Sequence, residues 1–116
     1  MSENKPDIQD GLWIIDQNGT TVFVSDVMAS ILGAPAATIL GLDSFTFVFP
    51  EDLPAAEQLF ASKQSGNRSP FRFRLRRFDG TPIFVSVQGT PLHNAAGQFL
   101  GIVGTFTPVP PFERQG

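Results

Sequence analysis

The stretch from Phe71 to Val87, FRFRLRRFDGTPIFVSV, constrains this chain more than any other. Phe71, Phe73 and Leu75 alternate with Arg72, Arg74 and Arg76. Successive side chains of a strand point to opposite faces, so a period of two predicts a half-buried antiparallel strand. Asp79-Gly80 then supplies a dipeptide that accepts positive φ in a tight hairpin turn. In the returning strand, Ile83, Val85 and Val87 alternate with Phe84, Ser86 and Gln88. Two neighbouring strands therefore offer apolar side chains to one face, and the rest of the chain must cover that face.

Asn18-Gly19, between the apolar runs Leu12–Ile15 and Val22–Val24, predicts an earlier hairpin over 12–24. From Ser25 the period becomes helical. Ser25 or Asp26 caps a helix bearing Val27, Met28, Ile31 and Leu32, and Gly33 stops it. Pro35 opens a second short helical turn that carries Ile39 and closes at Gly41. The aromatic run with Phe45, Phe47 and Phe49 is too short for a full helix and is read as irregular. Pro50-Glu51-Asp52 begins the longest helix, 51–64, with acids at its positive end and Lys63 near its negative end. Leu53, Ala56, Leu59 and Phe60 form its apolar stripe.

After the central hairpin, Thr90-Pro91-Leu92 is expected to lead into a turn over His93–Gly97. A last strand, Phe99 to Phe106, contains Gly101 and Gly104, glycines that mark a bend or a close backbone approach. Pro108, Pro110 and Pro111 are expected to forbid its continuation. Five antiparallel strands with helices inserted after the second make an α+β domain over 11–107. Residues 1–10 read as a flexible leader. Residues 108–116 read as a Pro-rich tail or linker, which favours a piece excised from a longer chain.

Composition narrows the function classes. With 116 residues the chain can bury one core, and its net charge of −3 argues against a general nucleic-acid binder. No apolar run approaches the roughly 20 residues of a membrane span. The polar start lacks signal-peptide character, so a cytoplasmic setting is expected. Cysteine is absent, which removes disulfides, thiolate nucleophiles and cysteine-held metals. Twelve Phe, one Trp and no Tyr imply a greasy interior with few polar handles.

The candidate sites follow from the two faces. His93, the sole histidine, is read as an exposed turn residue, since a general base or metal ligand needs a partner. Asp16, Asp52 and Asp79 read as turn and cap residues. No nucleophile–base pair and no phosphate-binding glycine loop is visible, so neither catalysis nor a metal is expected. The row Arg72, Arg74 and Arg76, with Arg77 beside it, reads as a solvated outer face, or else as a seat for an acidic partner or dimer mate. Phe84 shares that face with Ser86 and Gln88 and needs a cover, expected from the N-terminal segment or a second subunit. Arg72, Arg74, Arg76, Phe84 and Gln88 thus form the candidate interface.

On the inner face, Met28, Ile31, Leu32 and Ile39 come from the small helices, and Phe45, Phe47 and Phe49 from the aromatic run. Phe60 joins them from the long helix, and Phe71, Phe73, Leu75, Val85 and Val87 from the central hairpin. This cluster is read first as a filled core. A cavity left inside it would suit an apolar or aromatic ligand, with no arginine to clamp a charged one.

The order of these elements, with Asp16-x-x-Gly19, Val22-x-Val24-Ser25, Leu32-Gly33, Leu40-Gly41, Pro50-Glu51-Asp52, Arg77-Phe78-Asp79-Gly80-Thr81 and Gly97-x-x-x-Gly101, resembles the PAS sensory-domain family. The resemblance runs from Gly11 to Thr107. It implies a sheet of order 2-1-5-4-3 with helices on one face and a pocket between them. It also implies a second sheet face that makes a homodimer or meets an adjacent signalling segment. Members are input modules of histidine kinases, cyclases and regulators, so a sensory and partner-binding role is implied, with an apolar ligand as an addition. A small-molecule carrier, a cryptic enzyme on an α+β cup and a purely structural dimerisation domain are the alternatives. The light-sensing flavin members and those that bind a cinnamoyl pigment need a cysteine, which this chain lacks, and the segment Glu51–Gln64 has no histidine for haem. No cofactor is therefore expected. Thr105-Phe106-Thr107-Pro108 stands where the family carries an Asp-Ile/Val-Thr signature that couples to an output helix.

Overall fold

The computed structural model describes residues 10–112. Its strands are β1 (Gly11–Asp16), β2 (Thr21–Val24), β3 (Phe71–Arg76), β4 (Pro82–His93) and β5 (Phe99–Pro108). The helices are α1 (Asp26–Leu32), α2 (Ala36–Ile39) and α3 (Leu53–Gln64), with tight 3-10 turns at Ser44–Phe47 and Pro50–Asp52. The strands form one antiparallel sheet of order β2-β1-β5-β4-β3, and the helices lie on one face of it, as the family resemblance implies.

Local chemistry sets the joints. The Asp16 carboxylate accepts from the Asn18 and Thr20 backbone N–H groups and shapes the β1–β2 turn, where Gly19 takes a φ of 85°. Ser25 Oγ accepts from Met28 N at 3.1 Å, capping α1, and from Leu12 N at 2.9 Å, tying that cap to β1. Gly33 ends α1 in the left-handed region at φ 80°. Gly11 has no side chain because α1 crosses it: a Cβ there would fall 2.8 Å from Met28 Cα.

The β3–β4 hairpin follows the predicted register, with Phe71 opposite Val87, Phe73 opposite Val85 and Leu75 opposite Ile83. Gly80 supplies φ 92° in its turn. The Asp79 carboxylate accepts from Thr81 N and Oγ1, and these bonds hold it below the usual carboxylate range. The turn also closes the open end of α1. Phe78 N donates to Leu32 O at 2.8 Å, while the Arg77 guanidinium donates to Ile31 O at 3.0 Å and Ser30 O at 3.1 Å. Four helix-terminal carbonyls lack partners by construction of any helix, and this turn satisfies three of them.

Two strands run further than the prolines suggest. β4 continues through Thr90, Pro91 and Leu92 to His93, so these residues are strand rather than a lead into a turn. β3 begins opposite Val87, so beyond that point β4 is bonded to β5 alone and Pro91 leaves no ladder bond unmade on its open side. β5 likewise extends through Pro108, because β1 begins opposite Phe106 and leaves β5 with β4 as its sole neighbour there. Val109 N then donates to Phe84 O at 2.9 Å.

The solid part of the core lies between the sheet and the small helices. Met28, Leu32, Ile39, Phe47 and Val85 are wholly buried there. Trp13, 5 % exposed, donates its indole N–H to Thr21 Oγ1 at 3.0 Å, so its polar handle is satisfied inside. Of the expected leader, 1–10, all but Asp10 lies outside the described residues, as does the end of the expected tail, 113–116.

Candidate functional site

The core is not filled throughout. Between α3 and the sheet is a cavity of about 120 Å³. Its floor is Trp13 and Ile15 of β1, Val87 and Gly89 of β4, and Ile102, Gly104 and Phe106 of β5. Phe71, Phe73 and Leu75 of β3 form one wall, and Ala56, Leu59, Phe60 and Lys63 of α3 the roof. Ser44, Phe45 and Val48 complete the lining.

The sheet register shapes the floor. Gly89 and Gly104 face each other across β4 and β5, and both belong to the inward set. Two adjacent inward positions thus carry no side chain. A Cβ on Gly89 would fall 3.2 Å from Lys63 Cε, and one on Gly104 2.7 Å from the Phe106 ring. The glycine pair gives room to the Lys63 stem and the Phe106 ring.

Lys63 is the one charged side chain in the lining, and it is 2 % exposed. Its Nζ donates to Gly89 O at 2.9 Å and Ser69 O at 3.1 Å, and it lies 5.5 Å from the Phe71 ring centroid. An ammonium carries three N–H donors, so one is left over on a group that lines the cavity. Among the described residues no carboxylate pairs with it. Burial first, and the Arg68 charge second, push its pKa below the ordinary lysine value. Ser44, 9 % exposed, lines the same space, and its Oγ has no hydrogen-bond partner among the described residues. The site is therefore an apolar chamber with two polar atoms whose bonding capacity is unspent. It can hold a molecule and hydrogen-bond it.

Of the inner-face residues read from the sequence, Phe45, Phe60, Phe71, Phe73, Leu75 and Val87 line the cavity. Met28, Ile31, Leu32, Ile39, Phe47 and Val85 belong instead to the solid core beside it. Phe49 joins neither; the Arg74 guanidinium lies over its ring at 4.4 Å. The expectation of a filled core is thus corrected: beside the solid core a cavity of about 120 Å³ stays open under α3. Lys63 stands in the last turn of α3, as the sequence predicts, but its side chain lies beneath the helix, on the sheet. The sequence signal was present in Gly89, an inward position in a strand, but its partner Gly104 is known only from the register.

The outer face departs from a solvated arginine row. Arg74 reaches Asp52 at 2.8 Å and Glu51 at 3.1 Å, so its acidic partners are intramolecular. Asp52, chiefly through its hydrogen bond, holds the Arg74 guanidinium more firmly charged. Asp52 makes no capping bond for α3, contrary to the cap reading, because its carboxylate is turned to Arg74. Arg72 is exposed and lies 5.9 Å from the Phe112 ring centroid, and half-buried Arg76 sits by the hairpin turn. Gln88 donates to Arg68 O at 2.9 Å. Phe84 meets the ring of Phe112 edge-on at 4.9 Å, so a residue of the Pro-rich tail covers it. His93 is exposed at the end of β4, with Nε2 3.2 Å from Gln64 O and its ring beside Phe99. Among the described residues no group of three His, Asp or Glu side chains could hold a metal ion, and no helix is long and apolar enough to cross a membrane.

The sequence matches the PAS family, described as the PAS fold, over residues 3–109. The PAS domain of a protein from Colwellia psychrerythraea has the same fold, with a TM-score of 0.78 at 15% identity over 88% of this chain and 87% of that one. The Drosophila melanogaster Cycle PAS-B domain, solved with bound ethylene glycol, gives 0.74 at 14% identity over 85% of this chain and 99% of that one. A PAS domain from a two-component sensor histidine kinase gives 0.71 at 14% identity over 89% and 87% of the two chains. No curated protein matches the chain at a significant level. Strand order, helix placement and the family match over nearly all of the sequence agree, and the chain belongs to the PAS family of sensory and signalling domains.

Proposed function

We propose that this domain is the input part of a signalling protein, binding one compact, largely apolar molecule between α3 and the sheet and passing its occupancy to a partner. The observation that carries the reading is the cavity of about 120 Å³ with aromatic and aliphatic walls. A dry apolar cavity of about 150 Å³ holds benzene; this one is somewhat smaller but partly open to solvent, which sets the scale at a short branched chain or a single ring reaching to the opening. Bound ligand acts on α3 and on β1, β3, β4 and β5 together, since each contributes to the lining. A ligand that favours one packing of these elements over another shifts the population between them, which is what an input module must do. The domain itself is read as non-catalytic: Lys63 and Ser44 bring hydrogen bonds to the cavity but no nucleophile with an adjacent base.

The partner is read as a second copy or a downstream signalling segment meeting the outer sheet face, where Leu12, Ile14 and Val103 stay half-buried. Sedimentation equilibrium tests the first version, with a concentration-dependent dimer expected. For the ligand, toluene is titrated against the protein while thermal stability and ligand-observed NMR are followed. Saturable binding of one molecule per chain is expected; a linear, non-saturating response would overturn the reading.

A further inference from the structure

Building on the ligand-holding reading, we propose that the cavity's ligand is a compact monocarboxylate, its apolar body against the aromatic walls and its carboxylate on Lys63 Nζ. Lys63 is a buried cation with no carboxylate partner among the described residues and one N–H to spare. Its charge is not needed to fill space, since Met or Leu would occupy the Gly89 gap without placing a charge inside.

Two carbonyls offset part of the cost of burying the ammonium, but carbonyl dipoles do not supply a counter-charge. A ligand carboxylate does, and a charge-assisted bond in an enclosed site is among the stronger ones available. The remaining lining fixes the other limits. A cationic ligand would meet Lys63 as a like charge. A second anionic group would face Phe45, Phe60, Phe71 and Trp13 with no donor to receive it. One acidic group on a small apolar frame fits all these surfaces at once.

A purely structural role for Lys63 would use the same two bonds, tying α3 to β4 and to the loop at Ser69. Ligand preference separates the two roles. Benzoate and toluene are titrated calorimetrically against the wild-type chain and Lys63→Met. Benzoate is expected to bind the wild type about tenfold or more tightly than toluene, the scale of one charge-assisted contact. Lys63→Met should lose that preference, the ratio of the two affinities falling to about one. Should Lys63→Met not fold, NMR of the lysine Cε resonances in the wild type decides, benzoate being expected to raise the Lys63 pKa. Toluene binding with no preference for benzoate, or with that pKa unmoved, overturns the carboxylate while leaving the ligand-holding reading intact. Failure of both probes to bind removes both together.

Discussion

Lys63 shows how one residue's environment can invert its ordinary reading. A lysine near a helix C-terminus serves the helix dipole from solvent, yet here the stem lies across Gly89 and the ammonium is enclosed. Enclosure disfavours the charged form, so the folded-state pKa lies below the ordinary value of 10.5 that the unfolded chain keeps. Between those two values the unfolded chain binds more protons than the folded one, and stability rises with pH across the window. Below the folded value the cost is present in full, and above 10.5 it is gone. Urea unfolding of the wild type and Lys63→Met at stepped pH should therefore show the wild type gaining on the variant towards 10.5. A constant difference between the two would contradict the burial of a charged Lys63. Gly101 is a second position where the single residue decides. Its φ is 150°, and a Cβ there would collide with the Ile15 carbonyl of the paired strand. Gly101→Ala is expected to cost about 1–3 kcal/mol in the same assay; no loss would mean that β1 and β5 can separate locally at little cost.

At the scale of elements, the β3–β4 turn binds the sheet to α1. A seven-residue helix is marginal by itself, so its end depends on the turn that receives its carbonyls. Arg77→Ala removes two of those acceptor contacts and is expected to cost about 1–2 kcal/mol, read from chemical denaturation. Arg77→Lys should restore less than half of that, because an ammonium cannot reproduce the guanidinium's two-point reach. Full restoration by lysine would show that charge alone, rather than the fork, holds the helix end. This element was legible in the sequence: alternation gave the strands, Asp79-Gly80 the turn, and Ser25 with Gly33 the helix limits. The strand beyond Gln88 was not, because a proline excludes a strand only where both sides are bonded. Whether β4 has a neighbour at Pro91 depends on where β3 begins, a property of pairing between distant segments. The cavity was hidden for the same reason. Apolar residues announce a core, but whether their side chains fill it depends on which strands align, and a single sequence does not display its cross-strand partners. Phe71, Phe73 and Val87 could be placed near the cavity because they share the hairpin's register; Trp13, Ile102 and Phe106 enter it from strands whose alignment only the fold supplies.

The whole molecule combines a solid half, where α1 and α2 cover the sheet, with a hollow half under α3. Hollow space forgoes dispersion contacts and leaves apolar walls without neighbours, so a chain under selection for stability alone would fill it. Ala56 is the place to test that trade, because it is buried on α3 and lines the cavity. Leucine there is a strong helix former and adds three carbons into the empty volume, with no backbone change demanded. If the space is as large as it stands, Ala56→Leu should raise unfolding free energy by about 1 kcal/mol, since filling a void recovers apolar burial. The same substitution should abolish saturable toluene binding, because little of the roughly 120 Å³ would remain. Stability and ligand capacity are thus expected to move in opposite directions in one variant. Overpacking of an already dense interior predicts the reverse, a loss of about 1–3 kcal/mol. A destabilised Ala56→Leu would therefore remove the cavity as a binding site and, with it, the argument that this domain's interior is kept open for a guest.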